Sequence, residues 1–176
     1  MQEEYKHEVI PGGSFNPGDR ISITWRWTRA DAELREVCGD LLHADQDYIM
    51  HQVSQTTTAA QVRHLAKDVM NKWPYADHTA YTRIPGTYVL TRNIIHIVGQ
   101  RRPGPPTYEE SKQLRLEWFR SALSQALVEL PPDATFAIPR GIGCGAAAGD
   151  WKQYAEVIQD VFRKYRGSTS SVTIYR

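Results

Sequence analysis

The feature of this sequence that most constrains its fold is a loop of small residues near the end of the chain, 137-AIPRGIGCGAAAGDW-151. Three glycines and three alanines fall within residues 141–148. The strand-like run 134-ATFAI-138 precedes this loop, a helical pattern follows it, and 172-VTIY-175 has the pattern of a last strand. Small residues let a backbone turn tightly, and they also let its N–H groups approach a phosphate closely. The sequence therefore predicts either a phosphate-bearing ligand at this loop or simply a tight strand-to-helix turn.

Strand-like and helical patterns alternate along the rest of the chain. Alternating β-branched and aromatic residues predict strands at 20–28, 34–38 and 48–53, and a hairpin formed by 87–91 and 94–98. Helical spacing of apolar residues predicts helices from Thr58 to Trp73, from about Tyr108 to Glu129 and over 151–165. This alternation indicates an α/β fold in which helices cover both faces of a mixed β-sheet.

The composition suits a single domain and limits its partners. The chain has 176 residues, 41% of them hydrophobic, and a net charge of +1, so we expect no broad attraction to nucleic acid or membrane. Its two cysteines, Cys38 and Cys144, form neither a disulfide framework nor a metal pattern. No apolar run approaches the roughly 20 residues that span a bilayer. We expect a monomer in the cytoplasm or the nucleus, with no membrane segment, metal or cofactor.

The small-residue loop also matches a common nucleotide-binding pattern. Residues Gly143 to Ala148 satisfy G-x-G-x-x-[GA] between a strand and a helix. A Rossmann domain carries this pattern in its first βα unit, with an acidic residue about 20 positions further on. Here Arg163 lies at that distance, and only the strand-like run 172–175 remains. The pattern therefore does not indicate a Rossmann domain.

Several separated segments together resemble a macrodomain, the fold that binds ADP-ribose. They are the Gly39-Asp40 pair after a strand, 74-PYADHTAY-81 after the first helix, 115-RLEWF-119, and the run from Ile142 to Tyr154 that contains IGCG and GDW. The resemblance covers about residues 34 to 176. It implies a three-layer α/β macrodomain at residues 29–176, whose partner is ADP-ribose or an ADP-ribosylated protein.

The resemblance also implies where each part of the ligand lies. Asp40 accepts from the adenine amino group, with the backbone of Leu41 beside it. The loop 54-SQTTTAA-60 faces the distal ribose; it lacks the family's usual glycines and asparagine, so hydroxyls such as those of Ser54 and Thr56 are the polar groups there. Backbone groups of the small-residue loop wrap the diphosphate, namely those of Gly141, Ile142, Gly143, Cys144, Gly145 and Ala146.

Hydrolysis of an ADP-ribosyl bond would need an acid, a base or an oriented water near the distal ribose. Asp150 and His64 are the candidate catalytic residues, and Lys67 is a third ionisable group nearby. Each has a structural alternative: Asp150 is a good N-cap for the helix that follows, and the other two suit solvated helix positions. Ala147 occupies the position of the aspartate in relatives that form a lysyl intermediate, which argues against that mechanism.

The N-terminal segment, residues 1–28, lies outside the macrodomain pattern. It resembles the closing strand of an AlkB-like iron and 2-oxoglutarate dioxygenase through His7, Arg20 and Arg26, with Ser22 where the family usually has asparagine. An iron facial triad needs two histidines and a carboxylate, and no H-x-D pair precedes His7. We therefore expect no dioxygenase activity. The segment is either part of a longer multidomain protein, for example a viral one, or an extra edge strand.

Two functions follow as hypotheses. The first is an ADP-ribose-binding macrodomain that also hydrolyses ADP-ribosyl bonds or ADP-ribose 1″-phosphate. The second is a degenerate macrodomain that binds RNA or a protein partner. The glycine-free 54–60 loop and the basic 99-GQRRPGPP-106 segment, in which Arg101 and Arg102 could contact phosphates, favour the second. That segment could equally be a solvated loop braced by prolines.

Overall fold

The computed structural model describes residues 38–166 and 171–176, together with the backbone of three short strands before them. The strands are β1 (Lys6–Val9), β2 (Ile23–Arg26), β3 (Glu36–Val37), β4 (Tyr48–Ser54), β5 (Tyr88–Thr91), β6 (Ile94–Gln100), β7 (Thr135–Pro139) and β8 (Ser171–Tyr175). The helices are α1 (His64–Lys72), α2 (Lys112–Glu129) and α3 (Trp151–Tyr165). None of the helices in these ranges is long and apolar enough to cross a membrane.

The strands form one mixed sheet in the order β1-β2-β8-β7-β4-β6-β5, and β3 pairs with β8 beside β2. The pairs β3–β8, β7–β8, β4–β7 and β4–β6 are parallel, whereas β5 and the β1–β2 hairpin run antiparallel to their neighbours. The carboxyl ends of β3, β4, β6, β7 and β8 therefore share one edge of the sheet. Ligands of parallel α/β sheets bind at this edge.

Helices cover both faces of the sheet, as the α/β prediction required. Ile49 and Met50 follow one another on β4 and, because strand side chains alternate, point to opposite faces. Met50 belongs to one apolar cluster with Phe119 of α2 and Ile158 of α3, while Ile49 belongs to another with Val69 of α1. The three layers therefore enclose two apolar cores, one on each side of the sheet.

Two predicted helices begin later in the structure than in the sequence prediction. The first was expected from Thr58, but residues Ala59–Gln61 form a separate 3-10 turn and α1 begins at His64. Val62, which follows this turn, is buried and has an extended backbone, so no helix runs through it. The second was expected from about Tyr108, but α2 begins at Lys112 because the Ser111 side chain accepts the N–H of Leu114 and caps it.

The N-terminal segment joins the same sheet. Strand β2 pairs antiparallel with β8, and β1 pairs with β2. The prediction of a strand within residues 20–28 is confirmed for Ile23–Arg26. The residues of the dioxygenase resemblance have their side chains outside the described part of the chain, so that resemblance stays a prediction.

Candidate ligand-binding cleft

A cleft opens at the carboxyl edge of the sheet, where the loops after β4, β6 and β7 meet. Its larger chamber has a volume of about 500 Å³ and its smaller chamber about 240 Å³. Three loops border it: the threonine loop (residues 54–60), the rim loop (residues 101–110) and the glycine-rich loop (residues 140–150). Residues that border both chambers include Gln52, Arg63, His64, Gln100, Ala146 and Ala147.

The glycine-rich loop is a series of tight backbone turns. The N–H of Cys144 donates to the carbonyl of Gly141 at 2.8 Å, and the N–H of Ala148 donates to that of Gly145 at 2.9 Å. Gly141 and Gly143 have φ angles of +77° and +76°, a region that strongly favours glycine. The prediction of a strand–loop–helix unit is confirmed, and backbone conformation alone favours glycine at these two positions.

The glycines of this loop have different surroundings. A Cβ atom at Gly143 would lie 2.5 Å from Cε1 of Tyr154, and one at Gly149 would lie 2.5 Å from the carbonyl oxygen of Gly143. These two glycines therefore allow the loop to pack on the ring of Tyr154. By contrast, Cβ atoms at Gly141 and Gly145 would meet nothing within 4 Å. Of these four glycines, only Gly141 and Gly145 therefore border space that a ligand can occupy.

Positive charge borders the larger chamber. Arg63 and Arg140 line it, and among the described residues neither chamber is lined by an aspartate or a glutamate. The first turn of α1 also lines it through His64, Leu65 and Ala66. Since no side chain caps α1 at Arg63, this helix presents free N–H groups and the positive end of its dipole. The larger chamber is therefore suited to an anion.

The opposite arrangement holds at α3, the helix that follows the glycine-rich loop. Asp150 caps it by accepting the N–H of Lys152 at 3.0 Å. Asp150 and Trp151 line neither chamber. The structure thus presents the N-terminus of α1 to the cleft instead of that of α3.

Asp40 and Leu41 lie at the same edge of the sheet, after β3, but line neither chamber. The carboxylate of Asp40 is exposed; it accepts the N–H of Leu42 at 3.0 Å and lies 2.8 Å from Nδ1 of His43. The bond from Leu42 lowers the pKa of Asp40, and His43 acts in the same direction. Leu41 is buried in the core on the α1 side. The role of Asp40 toward adenine stays a prediction.

The threonine loop is held by internal hydrogen bonds. The hydroxyls of Ser54 and Thr57 bond to each other, and the guanidinium of buried Arg83 donates to both their carbonyls at 2.9 Å. Ser54 and Thr57 line the smaller chamber, whereas Thr56 is exposed and lines neither. Of the two predicted ribose contacts, the structure therefore brings Ser54 to the cleft and not Thr56.

Of the residues predicted to wrap the diphosphate, all but Cys144 reach the cleft. Gly141, Ile142, Gly143, Gly145 and Ala146 line the larger chamber. Cys144 does not; its thiol donates to the carbonyl of Ile142 at 3.3 Å, and burial raises its pKa to about 11.

His64 is the one predicted catalytic residue that borders the cleft. It lines both chambers, has an exposed side chain and has a φ of +55°. A left-handed backbone at a non-glycine residue is strained, and such strain clusters at functional sites. Lys67, on the next turn of α1, is exposed and lines neither chamber.

Sequence reasoning missed a cluster of three buried histidines behind the cleft. Nε2 of His51 lies 2.6 Å from Nδ1 of His96, and the ring centroid of His78 lies 5.8 Å from that of His96. His51 lines the larger chamber and His78 the smaller. No group of three or more histidine, cysteine or acidic side chains in the described ranges is arranged to hold a metal ion. The sequence did contain a signal for buried histidines, because β4 and β6 each carry one histidine within an apolar run.

A pair of glutamines at the floor of the cleft was also missed. Nε2 of Gln100 donates to the carbonyls of Arg102 at 3.1 Å and Gly104 at 3.4 Å, and its Oε1 accepts from Nε2 of Gln52 at 2.9 Å. Because backbone carbonyls only accept, these bonds define the orientation of both amides. The pair ties β4 to the start of the rim loop.

Comparisons with known proteins agree with this architecture. No protein-family model matches the sequence, and no curated protein sequence matches it. Among solved structures, the macrodomain of Thermus aquaticus DarG matches at 17% identity with a TM-score of 0.55, over 81% of this chain and 97% of that one. Alphavirus P23pro-zbd matches at 17% identity with a TM-score of 0.57, over 84% of this chain, which spans only 22% of the alphavirus chain. The predicted resemblance is thereby confirmed at the level of the fold: the chain has a macrodomain fold.

Proposed function

We propose that this cleft binds ADP-ribose, either free or attached to a protein. The observation that carries the proposal is the larger chamber itself, in which Gly145 leaves open space and Arg63 and Arg140 supply positive charge. Its volume of about 500 Å³ falls in the range of about 300–1,000 Å³ typical of small-molecule sites. A macrodomain fold supports the choice of ADP-ribose over other phosphate-bearing ligands.

The diphosphate would lie between the glycine-rich loop and the first turn of α1. Both supply backbone N–H groups, and the dipole of α1 favours negative charge at its first residues, His64 to Ala66. A carboxylate at this position would oppose the phosphates, and none lines the chamber among the described residues. The electrostatics of the larger chamber therefore support an anionic ligand.

Hydrolysis of an ADP-ribosyl bond is the second part of the proposal, and it depends on His64. This exposed side chain borders both chambers, whereas Asp150 is engaged in capping α3. Histidine is the side chain that most often serves as a general acid or base. We accordingly assign proton transfer to His64 and a structural role to Asp150.

A calorimetric titration with ADP-ribose tests the binding proposal, with adenosine monophosphate as the comparison ligand. Gly145→Val should abolish binding, because a Cβ at this position meets no protein atom within 4 Å and the valine side chain would extend into the chamber. Gly145→Ala is the matched smaller change and should weaken binding less. Absence of wild-type binding at millimolar ADP-ribose, or an unchanged dissociation constant in a folded Gly145→Val protein, would contradict the proposal.

RNA binding is the alternative function, and one observation favours it. The side chains of Arg101 and Arg102 are exposed on the rim loop, beside the smaller chamber that Pro103 and Gly104 line. RNA held by these arginines should be released as salt rises, because phosphate contacts displace counterions. Retention of labelled RNA on a filter at low salt, lost in a double Arg101→Ala, Arg102→Ala variant, would support this alternative; no retention by the wild type would end it.

A further inference from the structure

A fully buried arginine lies beside the cleft. Arg115, on α2, has 1% of its surface exposed, and Glu110, which precedes the helix, has 5%. Nε of Arg115 donates to Oε2 of Glu110 at 2.7 Å, and Nη2 lies 2.5 Å from the same oxygen. Removing two charges from water is costly, so a buried pair persists only where further hydrogen bonds satisfy both groups. The remaining bonds of this pair therefore show what it holds in place.

Those bonds go to two of the loops that border the cleft. On the rim loop, Arg115 donates from Nη1 to the carbonyl of Gly104 at 2.7 Å and from Nη2 to that of Arg102 at 3.1 Å. The carboxylate of Glu110 accepts the N–H of Arg102 at 3.3 Å. On the glycine-rich loop, Nη1 donates to the carbonyl of Ala147 at 3.3 Å. One guanidinium thus bonds to both loops.

Both loops border the smaller chamber. Gly104 lines that chamber, and Ala147 lines both chambers. We infer that the Arg115–Glu110 pair is a positioning device for the cleft: it sets the position of the rim loop relative to the glycine-rich loop, and with it the shape of the smaller chamber. We name ADP-ribose as that ligand on the strength of the proposed function.

The planar fork of the guanidinium suits this task. It presents its donors in a fixed arrangement, so it bonds to Glu110 and to both loops at once. A lysine has a single ammonium on a flexible chain and cannot reproduce these directions. We therefore expect Arg115→Met to lose the positioning of the two loops and Arg115→Lys to retain only part of it.

The chain offers a matched control for the loss of a buried arginine. Arg166, at the end of α3, has 7% of its surface exposed; it donates to the carbonyl of Pro131, and its guanidinium lies 4.7 Å from the ring centroid of Phe136. It lines neither chamber. Arg166→Met should therefore leave the cleft unaltered.

The experiment compares Arg115→Met, Arg115→Lys and Arg166→Met with the wild type by two measurements. The first is the dissociation constant for ADP-ribose, and the second is amide hydrogen exchange in the two loops of the free protein. We expect Arg115→Met to bind at least tenfold more weakly and to exchange faster in both loops. Arg115→Lys should have an affinity and exchange rates between those of Arg115→Met and the wild type. Arg166→Met should match the wild type in both measurements.

Three results would overturn the inference: unchanged affinity in Arg115→Met, faster exchange confined to the rim loop, or equal effects in Arg166→Met. If the wild type does not bind ADP-ribose, the proposed function fails, while the exchange comparison still tests the positioning of the loops. Should Arg115→Met not fold, Glu110→Gln provides the same comparison, because it removes the charge that orients Arg115.

Discussion

Nε2 of His51 lies 2.6 Å from Nδ1 of His96, so two buried histidines on neighbouring strands share one hydrogen bond across the sheet. Such a bond needs a donor on one ring and an acceptor on the other, and both rings satisfy this when they are neutral. The hydroxyl of Thr91 lies 2.8 Å from the remaining nitrogen of His96. The folded protein therefore favours neutral histidine at the back of the cleft.

The first prediction concerns acid sensitivity. Burial lowers the pKa of His78 to about 4 and of His96 to about 3, and it holds that of His51 well below its usual value. An unfolded histidine takes up a proton near pH 6.5. Between about pH 6.5 and 4 the unfolded chain therefore binds protons that the folded one does not, and stability falls as the pH falls. Each histidine contributes a slope of up to about 1.4 kcal/mol per pH unit.

Urea unfolding at half-unit steps from pH 8 to pH 5 measures this slope. The loss of stability should begin below about pH 7, and His78→Phe should make the curve less steep because one titrating group is gone. A free energy of unfolding that stays constant between pH 7 and pH 5 would show that the cluster is not kept neutral by the fold.

A second prediction separates two glycines of the same loop. Gly143→Val should destabilise the fold, since its φ is +76° and a Cβ there would lie 2.5 Å from the ring of Tyr154. Gly145→Val should leave the melting temperature nearly unchanged and remove ligand binding. Thermal melts of both variants, with and without ADP-ribose, provide the comparison. If both variants melt alike, the assignment of Gly143 to packing and Gly145 to the ligand is wrong.

The third prediction concerns Asp150. Because its side chain accepts the N–H of Lys152, Asp150→Ala should lower stability by about 0.5–2 kcal/mol, the usual cost of losing an N-cap. Asp150→Asn retains a capping oxygen and should cost less. Neither change should alter the affinity for ADP-ribose, because Asp150 does not line the cleft. A hundredfold loss of hydrolysis in Asp150→Asn would instead assign it to the chemistry.

A fourth prediction addresses adenine selection by Asp40. If its exposed carboxylate accepts from the adenine amino group, Asp40→Ala should weaken ADP-ribose binding by about 1.5–3 kcal/mol, the value for a hydrogen bond to a charged group. The analogue with hypoxanthine in place of adenine lacks that amino group and serves as the control. The wild type and Asp40→Ala should bind this analogue with the same affinity. If Asp40→Ala loses as much affinity for the analogue as for ADP-ribose, the mutation acts through the structure of the turn Leu41–His43.

The fifth prediction tests the proposed acid or base. His64→Gln should lower the release of ADP-ribose from a modified protein by about 10²- to 10⁴-fold, the range for a general acid or base. Binding of ADP-ribose should change far less, because the backbone of α1 remains in place. Hydrolysis by His64→Gln at the wild-type rate would remove His64 from the mechanism.

Local patterns were sufficient for most of the fold. Helical spacing placed α3 at residues 151–165, where the structure has it, because the apolar face lies within those residues and the cap, Asp150, directly precedes them. Patterns failed at α1, where Thr58 and Gln61 bond to each other around a separate 3-10 turn and the next residue, Val62, is buried with an extended backbone. Boundaries are therefore less predictable than the elements themselves.

The sequence by itself determined the order of strands and helices, the position of the glycine-rich loop and the apolar faces, since each depends on residues close together in the chain. The tertiary structure alone determined which side chains meet. Arg115 reaches Ala147 across 32 positions, and His51 reaches His96 across 45. Contacts of this kind depend on the order in which the strands lie in the sheet and on how helices pack over them, so no local pattern specifies these contacts. The cleft is built mainly from such contacts, because it lies where loops from three separate strands converge.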